Sequence, residues 1–214
     1  TDQRIKWALP GPMTMIDALA DRHYKSREKL AWEFATILNE EARELEAAGV
    51  DIIQFDEPAF NVFFDEVEDW GVAALERAAE GLRAQTAVHI CYGYGITANT
   101  DWKSTLGAEW RQYERTFPLL QRSTIDIVSL ECQHSHVPME LIELLRGKQV
   151  MVGAIDVASE VVETPDEVAD VLRTALQFVD HDKLIPSTNC GMAPMPRDVA
   201  GADLVREELT AARP

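Results

Sequence analysis

Short apolar runs alternate with longer stretches of helical periodicity along this chain, and this alternation constrains its fold more than any other feature. Six runs are almost continuously apolar, as expected for strands that are covered on both faces. They lie at Ile5–Leu9, Val50–Phe55, Ala87–Cys91, Ile125–Leu130, Val150–Ile155 and Leu184–Ser187. Each gap between them is long enough for a crossover helix. The pattern therefore predicts an α/β fold, a parallel sheet with helices outside it.

Helix start and stop signals fall between these runs. Ser26 is a plausible N-cap for a long helix that Gly49 closes, and Thr164 and Glu167 have the spacing of a capping box. The segment Pro138–Arg146 reads as a shorter helix. The long helix is expected to place these residues on its apolar side: Leu30, Phe34, Ile37, Leu38 and Leu45.

An open doubly wound sheet and a closed barrel both satisfy this pattern. Side chains with ligand chemistry follow several strands directly, and α/β barrels place their active sites at that end of the sheet. We therefore predict a (β/α)₈ TIM-type barrel that forms a single catalytic domain over residues 1–214. A barrel needs eight strands and only six are found, so the first one or two βα units are expected to be missing. A sheet that does not close remains the alternative.

Charge and cysteine content exclude several classes of function. The 214-residue chain has a formal net charge of −17, which opposes binding to nucleic acid or to an anionic membrane. No apolar run approaches the roughly 18–20 residues that span a bilayer, and no secretory signal precedes the first helix. Three widely separated cysteines suit a reducing compartment. The expected protein is cytoplasmic and its partner is a small molecule or another protein.

Residues that bind metals stand at three of the strand ends. His89 and Cys91 are two positions apart, so their side chains point the same way on a strand. Glu131 ends the fourth strand, and Cys190 follows the sixth. One imidazole, two thiolates and one carboxylate form a four-coordinate set that suits Zn²⁺. Each residue alone is weak evidence, because buried cysteines and histidines commonly fill cores.

Other polar residues lie beside these strand ends. Asp56 and Glu57 follow the second strand, and one of them is expected to point into the site and the other toward the rim. A carboxylate inside the mouth could hold a substrate ammonium group; the alternative is that it caps the following helix. His134 and His136 are candidates for proton shuttles, with surface positions as the alternative. Cys132 should face away from the metal.

Six segments resemble, in the same order, motifs of the C-terminal catalytic barrel of cobalamin-independent methionine synthases. They are Leu9–Thr14, Ile52–Ala59, His89–Tyr92, Val128–Glu131, Gly153–Val157 and Asn189–Gly191. The resemblance implies that His89, Cys91 and Cys190 are constant zinc ligands. Glu131 would be the exchangeable ligand, displaced when L-homocysteine binds through sulfur. Asp56 would hold the ammonium group of that substrate, and a zinc-bound thiolate would accept the methyl group.

The chain also departs from this family's pattern. Ala158 stands where the family has a histidine proton donor, and Asn61 and Val62 stand where its long members have a glutamate that serves folate. The last motif has Asn189 in place of an aspartate. The chain thus resembles a short, "core" relative. The implied methyl donor is 5-methyltetrahydrofolate, with help from an accessory protein, or a methylated corrinoid protein.

Two other functions remain open. A zinc thiol-alkyl transferase of the uroporphyrinogen-decarboxylase-like group would pass methyl groups from a corrinoid protein to another thiol, although the Asp56-Glu57-Pro58 motif argues against it. A non-catalytic truncated barrel is the third possibility, because missing units would leave strand edges exposed.

Overall fold

The structure is a computed structural model that describes residues 2–93, 97–193 and 195–202. Six strands alternate with helices, and their order in the sheet follows their order in the chain. The strands are β1 (Lys6–Pro10), β2 (Ile52–Asp56), β3 (Gln85–Ile90), β4 (Ile127–Glu131), β5 (Gln149–Ile155) and β6 (Leu184–Thr188). All six predicted strands are confirmed, and each boundary lies within two residues of its prediction. The α/β fold class is therefore confirmed as well.

The helices occupy the gaps between strands. The α-helices are α1 (Pro12–Asp17), α2 (Arg27–Ala47), α3 (Phe64–Glu66), α4 (Val72–Ala79), α5 (Thr97–Ser104), α6 (Tyr113–Arg122) and α7 (Pro165–Ala175). Short 3₁₀ turns cover Pro58–Asn61, Met139–Leu145 and His181–Lys183, and one π turn, Val67–Gly71, joins α3 to α4. No helix within the described residues is both long enough and apolar enough to span a bilayer.

The chain forms two compact units. The first comprises Thr1–Ile90 and Glu114–Val128, and the second comprises Cys91–Tyr113 and Ser129–Pro214. In the first unit, β2 pairs in parallel with both β1 and β3, and Asp56 stands beside His89 in the register. In the second unit, β5 and β6 pair in parallel, with a register shift between Gly153 and Ile155.

Helix α2 begins and ends where its capping signals predict. The hydroxyl of Ser26 accepts a hydrogen bond from the amide of Lys29, and Gly49 adopts a positive φ of 97° just past the end. The predicted apolar side is wrong in part: Leu38 is buried as predicted, but Ile37 is 55% exposed, and the other buried residues are Ala31, Ala35, Asn39 and Ala42. Small side chains form this stripe because they allow the helix a close approach to its neighbours, α4 among them.

Two further helix predictions have different outcomes. Thr164 and Glu167 form the predicted capping box at the start of α7, each side chain accepting from the other residue's backbone amide. The segment predicted as a helix over Pro138–Arg146 is helical from Met139 to Leu145, but it is a 3₁₀ helix. At seven residues it is longer than most 3₁₀ helices, which rarely exceed about 3–4 residues.

Candidate metal centre

The first two candidate ligands lie at the carboxyl end of β3. His89 is buried, and its carbonyl accepts a hydrogen bond of 2.8 Å from the backbone amide of Glu57. Cys91 is also buried and follows the last strand residue, Ile90. The intervening Ile90 is fully buried in the core, as the alternation of side chains along a strand requires.

Three of the four predicted ligands come together. One ligand atom from each of His89, Cys91 and Cys190 lies within 4.8 Å of the others. The two sulfur atoms, of Cys91 and Cys190, are 3.8 Å apart, which is too long for a disulfide bond. Two thiols and an imidazole are soft donors that favour zinc over magnesium or calcium, so the donor set fits the metal that the sequence predicts.

The predicted fourth ligand, Glu131, ends β4 and is also buried. Its carboxylate accepts a hydrogen bond of 3.2 Å from the amide of Tyr92, the residue after Cys91. The hydroxyl of Ser135 lies 3.5 Å from the other carboxylate oxygen. Glu131 is therefore held close to Cys91 by a backbone contact, although it does not belong to the compact group of three ligand atoms.

Two thiols of this region, those of Cys91 and Cys132, have a raised pKa. The neighbouring thiol of Cys190, burial and the charge of Glu131 together raise the pKa of Cys91 well above its usual range. Burial, with the charge of Glu131, raises the pKa of Cys132 to about 12. A bound cation would reverse this balance for its own ligands, because a coordinating thiol is deprotonated outright.

An aromatic cluster follows Cys91 in the chain. The ring of Tyr92 lies 4.8 Å from that of Trp110, 5.4 Å from that of Tyr113 and 5.7 Å from that of Trp102. Tyr92 also donates a hydrogen bond of 3.0 Å from its hydroxyl to the side chain of Gln112. These rings form an apolar wall beside the buried carboxylate, and burial is the main reason that the pKa of Tyr92 is raised.

Asp56 and Glu57 have different surroundings. Asp56 is partly exposed, and its carboxylate accepts a hydrogen bond of 2.7 Å from the side chain of Gln54. Glu57 is fully buried and turns toward the preceding helix, α1, rather than toward a rim or the following helix. Its carboxylate accepts from the backbone amides of Met13 (3.0 Å) and Thr14 (2.9 Å) and from the hydroxyl of Thr14 (2.8 Å). Burial nevertheless raises the pKa of Glu57 to about 7.

The two candidate histidines also differ. His134 has a left-handed backbone with a φ of 50°, and its Nδ1 lies 3.4 Å from a carboxylate oxygen of Asp156. Its side chain is 61% exposed. The Nδ1 of His136 lies 3.2 Å from the carbonyl oxygen of Ala108, and its ring packs 5.0 Å from that of Trp110. The first histidine thus faces a carboxylate and solvent, and the second is tied to a backbone carbonyl.

Sequence comparison assigns the family. A sequence model of the catalytic domain of cobalamin-independent synthases matches residues 1–213. The chain belongs to this family. The predicted TIM-barrel class agrees with the fold of a similar protein of known structure. This protein is a B12-independent methionine synthase from Shewanella sp. W3-18-1, solved in complex with selenomethionine. It is 74% identical, has a TM-score of 0.95, and the match covers 99% of this chain and 62% of that one.

Other members of the cobalamin-independent synthase family are more distant. Proteins named methionine synthase from Sulfurisphaera tokodaii and Saccharolobus islandicus are 29% and 30% identical to this chain. The matches cover 97% and 96% of the chain and 58% and 59% of those proteins. A solved protein from Listeria monocytogenes at 17% identity, with a TM-score of 0.70, shows the shared fold. The chain spans about three-fifths of the length of the relatives it matches.

Membership in this family makes the departure at Ala158 more informative. The amide of Ala158 donates a hydrogen bond of 2.9 Å to the carboxylate of Asp156, the same residue that faces His134. The histidine that the family resemblance places at this position is absent. His134, which lies 24 positions earlier in the chain, contacts Asp156, two residues before Ala158.

Two site residues escaped prediction from the sequence. Asn189 precedes Cys190 and is fully buried, with its side chain bonded to the segment after Glu131. Gly11 stands where a side chain would overlap the carboxyl group of Glu57. Both residues lie within segments that resemble family motifs, but their roles depend on contacts with distant segments, which those motifs do not indicate.

Proposed function

We propose that this chain carries the zinc and homocysteine site of a cobalamin-independent methionine synthase and transfers a methyl group to the sulfur of L-homocysteine. The observation that carries the proposal is the group of His89, Cys91 and Cys190, whose ligand atoms lie within 4.8 Å of one another in a chain of this family. The Shewanella relative was solved with selenomethionine, the selenium counterpart of methionine, which supports a methionine-sized product.

His89, Cys91 and Cys190 would hold the zinc ion, and Glu131 would be the fourth, exchangeable ligand. Bound zinc would keep the sulfur of homocysteine as a thiolate, the nucleophilic form, at neutral pH. Glu131 suits an exchangeable role because its carboxylate already has partners in the amide of Tyr92 and the hydroxyl of Ser135. These two groups would still donate hydrogen bonds to the carboxylate after homocysteine displaces it from the metal.

Asp56 would bind the ammonium group of homocysteine. Its carboxylate is partly exposed, and it stands beside His89 in the strand register. The side-chain amide of Gln54 donates to one oxygen and orients the group. A carboxylate can accept several hydrogen bonds at once, so the bond from Gln54 is compatible with a charged donor at the same group.

The methyl donor would be 5-methyltetrahydrofolate, supplied with help from an accessory protein, with a methylated corrinoid protein as the alternative. In either case a sulfur–carbon bond forms and the bond between the methyl carbon and the donor breaks, leaving its electron pair on the donor. For the folate donor that leaving nitrogen takes up a proton. The three cysteines, none in a disulfide, are consistent with a reaction in the reducing cytoplasm.

His134 is our candidate for the proton donor, ahead of His136. The carboxylate of Asp156 lies 3.4 Å from Nδ1 of His134 and can orient its ring, whereas Nδ1 of His136 lies 3.2 Å from a backbone carbonyl. We expect His134→Ala to lower turnover with methyltetrahydrofolate by about 10²- to 10⁴-fold. His136→Ala, measured in parallel, should retain more activity. Wild-type turnover in both variants would show that neither histidine is the proton donor.

Metal analysis tests the zinc site directly. The purified wild type should contain about one zinc ion per chain, as expected for a four-coordinate site, and Cys190→Ser should lose it. Cys132→Ser is the matched control, because Cys132 is a neighbouring thiol outside the ligand group. It should retain zinc. Full zinc content in Cys190→Ser, or equal loss in the two variants, would overturn the proposed site.

A further inference from the structure

One fully buried side chain connects the two segments that carry Cys190 and Glu131. Asn189 lies between β6 and Cys190, and no part of it is exposed. Its Oδ1 accepts hydrogen bonds from the backbone amides of Cys132 (2.9 Å) and Gln133 (3.3 Å). Its Nδ2 donates a bond of 2.8 Å to the carbonyl of Gln133. The side chain therefore both donates to and accepts from the segment that follows Glu131.

The backbone around Asn189 is equally constrained. Its own amide donates a hydrogen bond of 2.9 Å to the carbonyl of Ile155, at the end of β5. The hydroxyl of Thr188, the preceding residue, donates a bond of 2.7 Å to the carbonyl of Cys190. These bonds fix the chain on both sides of Asn189, so the position of the Cys190 backbone follows from them.

A glycine on β5 makes room for this arrangement. A Cβ atom at Gly153 would lie 2.5 Å from Oδ1 of Asn189 and 2.7 Å from its Cα atom, closer than real Cβ contacts allow. The register of β5 with β6 also shifts at this point, between Gly153 and Ile155. Such irregularities bend a strand, and this one lies opposite Ser187 and Thr188, directly before Asn189.

We propose that Asn189 is a positioning residue for the metal site, holding the thiol of Cys190 at a fixed distance from the Glu131 segment. Its amide is suited to this role because it donates and accepts at once. The family's aspartate can accept from the two backbone amides but cannot donate to the carbonyl of Gln133. This inference rests on the proposed function, since it assumes that Cys190 is a zinc ligand.

Zinc affinity tests this role independently of turnover. The zinc dissociation constant would be measured by competition with a chromophoric chelator in wild type, Asn189→Ala and Asn189→Asp. We expect Asn189→Ala to weaken zinc binding by about 10- to 100-fold, as the loss of residues that orient metal ligands does. Asn189→Asp keeps the accepting half of the contact, so its affinity should fall between those of wild type and Asn189→Ala. In cobalt-substituted protein, both variants should lower the thiolate-to-cobalt charge-transfer absorption.

Asn39→Ala is the matched control for lost stability. Asn39 is also a buried asparagine, and its Nδ2 donates to the carbonyls of Ala78 and Glu80, 2.9 Å away in each case. It lies in the first unit and contacts none of the proposed ligands, so its replacement should lower the melting temperature without changing zinc affinity. If Asn189→Ala does not fold, the affinity of Asn189→Asp decides the question.

The outcomes separate this inference from the proposed function. Wild-type zinc affinity in a folded Asn189→Ala, or in Asn189→Asp when only that variant folds, would overturn the positioning role. An equal loss of affinity in Asn39→Ala would also overturn it, because the effect would then be general destabilisation. Retention of zinc by Cys190→Ser in the same assay would instead contradict the proposed function itself.

Discussion

The role of Glu57 depends on hydrogen bonds to residues more than forty positions earlier in the chain. In the sequence it is half of a pair of carboxylates after a strand, which suggests a site residue or a cap of the next helix. In the structure it caps α1, accepting from the amides of Met13 and Thr14. The carboxylate also replaces the side-chain cap that α1 lacks, because Gly11 occupies the N-cap position. The turn at Leu9–Thr14 is thus shaped by a residue of the next strand end.

Gly11→Ala tests this dependence at the scale of one methyl group. The added carbon would overlap the carboxyl group of Glu57, so the buried side chain or the turn must move. Overpacking of this kind costs typically about 1–3 kcal/mol of unfolding free energy. Urea denaturation would measure the loss. Gly201→Ala is the control, since nothing lies within 4 Å of a Cβ there. Equal stability of the two variants would contradict the tight contact.

Residue identities indicate the candidate ligands better than the residues that hold those candidates in place. His89, Cys91 and Cys190 could be named from strand ends and residue chemistry alone, and the structure brings their ligand atoms together. Asn189 could not, because its hydrogen bonds reach backbone groups of a segment 56 positions earlier, and backbone groups carry no sequence signal. The difference between His134 and His136 likewise depends on which acceptor each ring meets.

At the scale of elements, strands are easier to predict than helix faces. Continuous apolar runs identify all six strands, although only β3, β4 and β5 are buried almost throughout, whereas most of β1 is exposed and β6 is half-buried. Helix α2 is harder, because its buried stripe combines three alanines and an asparagine with a single large apolar residue, Leu38. A prediction of the buried face from hydrophobicity alone therefore includes Ile37, which is exposed. The side chain of Asn39 is buried because it bonds the carbonyls of Ala78 and Glu80 at the end of α4.

The start of α7 offers a test of local capping. The hydroxyl of Thr164 accepts from the amide of Glu167, and the carboxylate of Glu167 accepts from the amide of Thr164. We expect Thr164→Ala to cost about 1 kcal/mol of unfolding free energy in urea denaturation at pH 7. Thr174→Ala is the control, since the hydroxyl of Thr174 only bonds the carbonyl of Asp170 within the helix. It should change stability less, and the reverse order would contradict the cap.

The whole molecule carries a strong excess of acidic groups. Its 37 acidic and 20 basic side chains leave a formal net charge of −17. The arginine–carboxylate pairs found among the described residues lie mostly at exposed or half-exposed side chains and contribute little stability. Unbalanced like charges repel one another and oppose the compact state. The charge is thus a cost to folding that salt can reduce.

Stability should therefore increase with ionic strength in dilute buffer. Raising the salt concentration from about 0.01 M to 0.15 M shortens the Debye length from about 30 Å to 8 Å. We expect the unfolding free energy, measured by urea denaturation, to rise over this range and then level off. Sodium and potassium chloride should have the same effect at equal ionic strength. A fall in stability would show that attractive pairs outweigh the net repulsion.

The strand order described above also bears on how the chain is made. Lys6 pairs with Ile52, Ile52 with Gln85, and Val150 with Leu184, so the paired positions are 33 to 46 residues apart. In each of these pairings the earlier strand has already been synthesised when its partner leaves the ribosome. Translation proceeds from the N-terminus at about 5–20 residues per second, which gives each strand seconds to find its neighbour. Hydrogen bonding can thus follow the order of synthesis, each new strand adding to one already made.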